Sequence, residues 1–174
     1  MRCLLLLPLV ALAASLVSCE SPGGFVSTTS TSSPSSSLSS DSHQIRGVKT
    51  TAYTHTEADH LKYADASAVG TPLKYGVVRS AAADWSVYPV GTVFQIDGEP
   101  YTYQIDDYGS ALVGTNTIDL YKPTRAAMND WGARNVNIKV IKWGSTTQSL
   151  AIMKDRQKNP HVKAMVQRLE ASNS

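Results

Sequence analysis

The sequence predicts a mainly β domain: a small closed barrel of six strands with one short helix and a C-terminal helical tail. Three observations carry that expectation. Six short runs of strand character follow one another between residues 48 and 143. Turn-forming Gly, Pro, Asn and Asp punctuate the gaps between them. Beyond residue 147 the apolar spacing becomes helical. The 174 residues suffice for one modest domain and are too few for two large ones.

The first segment is not fold. Met1–Arg2 is a short basic start, and Leu4 to Val17 is an almost uninterrupted apolar run of about fourteen residues. That is the length of a signal-peptide core and short of the roughly 20 residues that span a bilayer. The run ends in Leu16–Val17–Ser18–Cys19, which resembles the bacterial lipoprotein processing box. The expected organisation is a lipoprotein signal peptide at 1–18, a tether from lipidated Cys19 over 19–46, a barrel at 47–145 and a helical tail at 146–174. Ser27 to Ser42 holds ten serines, three threonines and one proline in sixteen residues, and such a segment buries too little apolar surface to offset its chain entropy. Cys3 leaves with the leader and Cys19 is acylated, which excludes cysteine catalysis and disulfides. Glu20 after that cysteine, where some bacteria use Asp for inner-membrane retention, favours an outer-membrane, periplasm-facing anchor.

The strands are expected at Val48–His55, Gly76–Ala83, Thr92–Asp97, Tyr101–Asp107, Thr117–Tyr121 and Val136–Trp143. In the last, Val136, Ile138 and Val140 alternate with Asn137 and Lys139, the pattern of a half-buried strand. Asp97–Gly98–Glu99–Pro100 reads as the turn between the third and fourth strands, Gly supplying positive φ and Pro blocking continuation. Thr124–Trp131 fits a helix, with Thr124 as its cap and Gly132 at its end. In the tail, Leu150–Lys158 is moderately helical and Asn159–Pro160 starts a second helix. There Val162, Met165, Val166 and Leu169 form one apolar stripe. It offers a face for packing on the barrel, for a membrane surface or for an envelope protein partner.

Composition excludes several functions. A net charge of +2 with 17% charged residues is too weak for a dedicated nucleic-acid binder. Two cysteines support neither a disulfide scaffold nor a four-thiolate zinc site. No glycine-rich phosphate loop is present. His55 and His60 lie near Glu57, Asp59 and Asp65, yet their spacing matches no metal motif and reads as a polar loop.

The informative stretch runs from Ile105 to Tyr121. Asp107 and Asp119 end or interrupt strands joined by a loop with two glycines, and Asp84 follows the second strand. Asp is depleted in strands and costly when buried, so three such positions call for a reason. In order, the chain carries Ala82–Ala83–Asp84, then Tyr88–Pro89–Val90–Gly91–Thr92, then Asp107–Tyr108–Gly109–Ser110–Ala111–Leu112–Val113–Gly114. Ile118–Asp119–Leu120–Tyr121 and Trp131–Gly132–Ala133–Arg134–Asn135–Val136–Asn137–Ile138 follow, with Thr51–Ala52–Tyr53 in front. These segments resemble the 3D domain, named for its three aspartates, of bacterial cell-wall proteins and of the barrel in MltA-type lytic transglycosylases. The resemblance spans Val48 to about Trp143. It departs from the family pattern at Ser110, where a second Gly is usual, and at Thr117, where Arg is frequent. Asp106 beside Asp107 leaves the second aspartate ambiguous, with spacing to Gly109 favouring Asp107.

The resemblance implies a double-psi β-barrel and cleavage of the β-1,4 bond between N-acetylmuramic acid and N-acetylglucosamine in peptidoglycan. The muramyl 6-hydroxyl attacks its own C1, no water is added, and a 1,6-anhydro end forms. One carboxyl protonates the leaving oxygen and then accepts the hydroxyl proton. An ordinary Asp, with a pKa of about 3.9, is ionised near neutrality. A cluster of like charges would raise it. On this resemblance Asp119 is the acid/base, with Asp107 and Asp84 tuning it and stabilising the transition state. Thr51, Tyr53, Gly109 and Ser110 are the expected substrate contacts. Trp85 and Trp131 are candidates for sugar stacking or for the core, and Lys74 and Arg79 for acidic stem peptides or for solvent. No metal and no organic cofactor is implied. The partners implied are peptidoglycan glycan strands and, through Cys19, a membrane. Two other functions stay open: a non-catalytic peptidoglycan-binding module, and a structural envelope lipoprotein whose tail helix recruits a partner.

Overall fold

The fold is a closed barrel in which sequence neighbours are mostly not spatial neighbours. The structure is a computed structural model that describes residues 43–57 and 64–172. The leader, Cys19, most of the tether and residues 58–63, which include Asp59 and His60, lie outside the described residues. Six strands are present: β1 (His43–Tyr53), β2 (Val78–Ala82), β3 (Val93–Ile96), β4 (Thr102–Asp107), β5 (Ile118–Tyr121) and β6 (Arg134–Lys142). Around the barrel they run β1-β5-β2-β4-β3-β6. β1 is parallel to β5 and β2 to β4, while the remaining pairs are antiparallel. The expected six strands and closed barrel are thus present.

β1 begins earlier than the sequence suggests, inside the span expected to be tether. Gln44 and Ile45 pair with Lys139 and Ile138 of β6, and a bulge between Ile45 and Val48 restores register before the buried part of the strand. β6 buries Ile138 and Val140 and half-buries Val136, the alternation expected. Gly98 has φ of +84° in the turn after β3.

The barrel interior is filled by Phe94, Tyr103, Ile105, Ile118, Leu120, Ile138 and Val140. Helix α1 (Arg125–Trp131) starts at Thr124, whose hydroxyl accepts from the Ala127 N–H. The two tail helices are α2 (Thr146–Met153) and α3 (Pro160–Ser172), separated by a 3-10 turn at Lys154–Arg156. Val162, Met165, Val166 and Leu169 are all buried in the same core as the barrel residues. Met165 packs at the base of Trp85, whose backbone N–H donates to its Sδ at 3.4 Å. The apolar stripe is therefore used within the chain and is not an open face for a membrane or partner. None of the described helices is long and apolar enough to cross a membrane.

Candidate functional site

One cavity of about 590 Å³ opens beside the seam where β1, β5, β2 and β4 lie side by side. That volume is within the range of small-ligand pockets. Its wall is organised by register. Ala82 of β2 is paired with Asp119 on one side and with Asp107 on the other. The two aspartates therefore sit level, two strand widths or about 10 Å apart at Cα. Both border the cavity, as do Ala82, Gly109 and Ser110. Between them Ala82 packs in one buried cluster with Tyr53, Leu112 and Tyr121.

A bulge explains which of the adjacent aspartates faces this space. Ala81 pairs with Ile105 but Ala82 pairs with Asp107, so Asp106 is the extra residue. Such an insertion re-aims the side chain that follows it. Asp106 is buried and accepts from Lys74 Nζ at 2.7 Å and Ser80 Oγ at 2.8 Å. Its Oδ1 has no hydrogen-bond partner. Lys74 is thus paired with Asp106 while its side chain stays partly exposed.

Donors from three segments converge on Asp107. Its Oδ1 accepts from the backbone N–H of Ala68 at 3.1 Å and of Tyr108 at 2.9 Å, and its Oδ2 from the Tyr53 hydroxyl at 3.0 Å. Burial pushes the Tyr53 hydroxyl well above its ordinary range, and the charges of Asp107, Asp106 and Asp119 act in the same direction. Tyr53 therefore stays protonated and donates. Asp119 Oδ1 accepts from Thr51 Oγ1 at 2.6 Å across the parallel β1–β5 pair. Thr51 does not itself border the cavity, whereas Tyr53 does.

The third aspartate is elsewhere. Asp84 is fully buried and does not border the cavity. Its Oδ1 accepts from the N–H and hydroxyl of Ser86, and its Oδ2 from the Gly114 N–H at 2.7 Å and Arg168 Nη1 at 2.8 Å. The expected place beside Asp119 is not where the structure puts it. Asp84 ties the 109–117 loop to α3.

The other candidates resolve on packing. Trp85 is fully buried and donates from Nε1 to the Asp107 carbonyl at 2.8 Å, so it is core and does not stack on sugar. Trp131 is 8% exposed, donates to Thr50 Oγ1 and lies under the Lys122 and Arg134 cations. Arg79 is buried between the rings of Tyr75 and Tyr101, its charge spent on those faces. His55 Nδ1 meets the Tyr121 hydroxyl at 2.8 Å, and Glu57 accepts from the Thr54 N–H. Among the described residues no group of three or more His, Cys, Asp and Glu is placed to hold a metal.

Three cavity residues were not legible as such: Arg156, Asn159 and His161, from the tail. The amphipathic spacing marks the tail as a helix but not the end of it that borders a site.

The closed six-stranded barrel thus brings two strand-borne aspartates, Asp107 and Asp119, onto one cavity. The model of the 3D domain matches residues 79–142, which hold all but the first residue of β2, the whole of β3 to β6 and all three aspartates. The chain is also 32% identical over 119 residues to the Bacillus subtilis (strain 168) protein named "Putative cell wall shaping protein YabE". That alignment covers 66% of this chain and 28% of the relative, so the chain spans less than a third of the relative's length.

Proposed function

We propose that this protein is a lytic transglycosylase acting on peptidoglycan glycan strands, held in the cell envelope by lipid on Cys19 and the Ser-rich tether. The observation that carries the reading is the placement of Asp107 and Asp119 level on one cavity wall, either side of Ala82. The cell-wall role in the relative's name supports the substrate class.

In this reading Asp119 delivers a proton to the glycosidic oxygen as the C1–O bond breaks. Its carboxylate then takes the proton of the muramyl 6-hydroxyl as O6 bonds to C1. Proton and bond counts balance without water, and the product is a 1,6-anhydro end. Thr51 orients Asp119 through its hydroxyl. Asp107, held by Ala68, Tyr108 and Tyr53, supplies fixed negative charge against the oxocarbenium-like centre. Asp84 supports the loop and takes no part in proton transfer.

The test is digestion of purified peptidoglycan by the purified chain, read by mass spectrometry. Fragments ending in 1,6-anhydro-muramic acid are expected, and Asp119→Asn should abolish them while leaving the melting curve within a few degrees. Reducing ends would replace the mechanism by hydrolysis. Intact glycan retained on the protein, with no products, would make the domain a binding module.

A further inference from the structure

We infer that the C-terminal tail forms a carboxylate-binding wall of this cavity, with Arg156 as its cation and Asn159 and His161 beside it. The inference rests on the glycan reading above and goes beyond it by naming a charged substituent of the substrate. These residues lie outside the segment matched by the family model.

Arg156 borders the cavity, and its Nη1 donates to two neutral acceptors, the Ala68 carbonyl at 2.8 Å and the Tyr108 hydroxyl at 3.4 Å. The ion pairs among the described residues are Lys74–Asp106 and Arg168–Asp84, and neither involves Arg156. A permanently charged guanidinium thus edges the cavity with no carboxylate of the described residues in ion-pair contact with it. A guanidinium has five donors in a fork that matches a carboxylate. The contacts Arg156 does make hold it in place. Ala68 and Tyr108 are the two residues whose N–H groups fix Asp107. The Tyr108 ring also lies 4.9 Å from Trp85 and 6.0 Å from His161, centroid to centroid. The cation and the acidic wall are therefore registered to each other through the same two residues.

Such a cavity has an acidic side for a neutral sugar and a basic side for an acid. A glycan of uncharged hexosamines uses only the first. Peptidoglycan glycan carries carboxylates, either on the lactyl ether of the sugar or on the attached peptide, and both share the chemistry Arg156 would read.

Calorimetric titration of the full chain separates these cases. Three probes of equal sugar number are used: a chito-oligosaccharide, a GlcNAc–MurNAc oligomer bearing lactyl carboxylates alone, and the same oligomer with stem peptides. Wild type is expected to bind a carboxylate-bearing probe roughly tenfold or more tighter than the uncharged one, as suits one charge-assisted contact. Arg156→Gln should remove that preference and Arg156→Lys should keep part of it, with chito-oligosaccharide affinity equal in all three proteins. A preference already complete with the lactyl probe places the carboxylate on the sugar; one that needs the peptide places it there. Equal binding of all probes by wild type overturns the inference while leaving the glycan reading intact. So does an equal weakening of all three by Arg156→Gln, which would make Arg156 a clamp alone. No binding of any probe, with no products from the digest, overturns the glycan reading and this inference together. Should Arg156→Gln not fold, salt decides: a wild-type preference unchanged at about 0.5 M salt, where the Debye length is a few ångströms, overturns it.

Discussion

Replacing Asp84 separates structural from chemical roles among the three aspartates. Asp84→Ala removes a carboxylate that is fully buried and accepts from four groups: the N–H and hydroxyl of Ser86, the Gly114 N–H and Arg168. Hydrogen bonds to charged groups are worth about 1.5–3 kcal/mol each. Much of that is recovered here, because Gly114 is exposed and the Arg168 side chain is 48% exposed, so both donors regain water. The Ser86 contacts and the buried volume are not recovered. A net loss of about 3 kcal/mol follows, against a total stability on the order of 5–15 kcal/mol. For a domain of this size that is a fall in melting temperature of roughly 6–12 °C. Asp84→Asn keeps the shape and leaves a half-exposed guanidinium to solvate, so about 1–2 kcal/mol is expected. Urea unfolding followed by circular dichroism gives the stability, and glycan cleavage well below the melting point gives the activity. Both variants should retain activity within a few-fold while folded. An Asp84→Asn protein as stable as wild type but at least a hundredfold slower would refute the placement of Asp84 outside the chemistry.

Burial raises the hydroxyls of Tyr53 and Tyr88 and pushes that of Tyr103 up to about 12. Unfolded tyrosines lose their protons near pH 10, so above it the unfolded state binds fewer protons and stability falls as pH rises toward 12. Burial raises the Tyr121 hydroxyl as well, so Lys122, lowered by burial, opposes this as one group against four. A urea midpoint that does not move between pH 9 and pH 11.5 would contradict the burial of these hydroxyls. Met165→Ala, at a fully buried position under Trp85, should cost about 2–5 kcal/mol in urea unfolding and shed protection from hydrogen exchange first in α3. Gly144→Ala should express as aggregated or unfolded chain. A Cβ there would lie 2.3 Å from the carbonyl oxygens of Pro89 and Val90, which are backbone and cannot rotate away. A soluble Gly144→Ala protein of wild-type melting temperature would refute that close approach.

The barrel was legible because its strands announce themselves locally: alternation in β6, turn chemistry at Gly98, and a capped helix at Thr124. The start of β1 was not, because Gln44 and Ile45 are strand only by virtue of pairing with β6, more than ninety residues on. The same limit divides the aspartates. All three stand at or within strand ends, and local sequence treats them alike. What separates them is long-range: a bulge opposite Ala82 turns Asp107 toward the cavity, while an arginine 84 residues away captures Asp84. The tail shows the limit most fully. Its apolar stripe predicts α3, but the approach of its arginines to two of the aspartates depends on how the helix docks.

That docking changes how the tail can be studied. Arg168 meets Asp84 directly, and Arg156 grips two of the three residues that hold Asp107. Val162, Met165, Val166 and Leu169 meanwhile fill the core. Deleting residues 147–174 would therefore remove core, loop support and cavity wall at once. A loss of cleavage in such a truncation would not distinguish a recruited partner from a collapsed site. Substitutions at Arg156 and Arg168 separate these effects, because each leaves the apolar stripe in place: Arg168 supports Asp84, whereas Arg156 both supports Asp107 and edges the cavity.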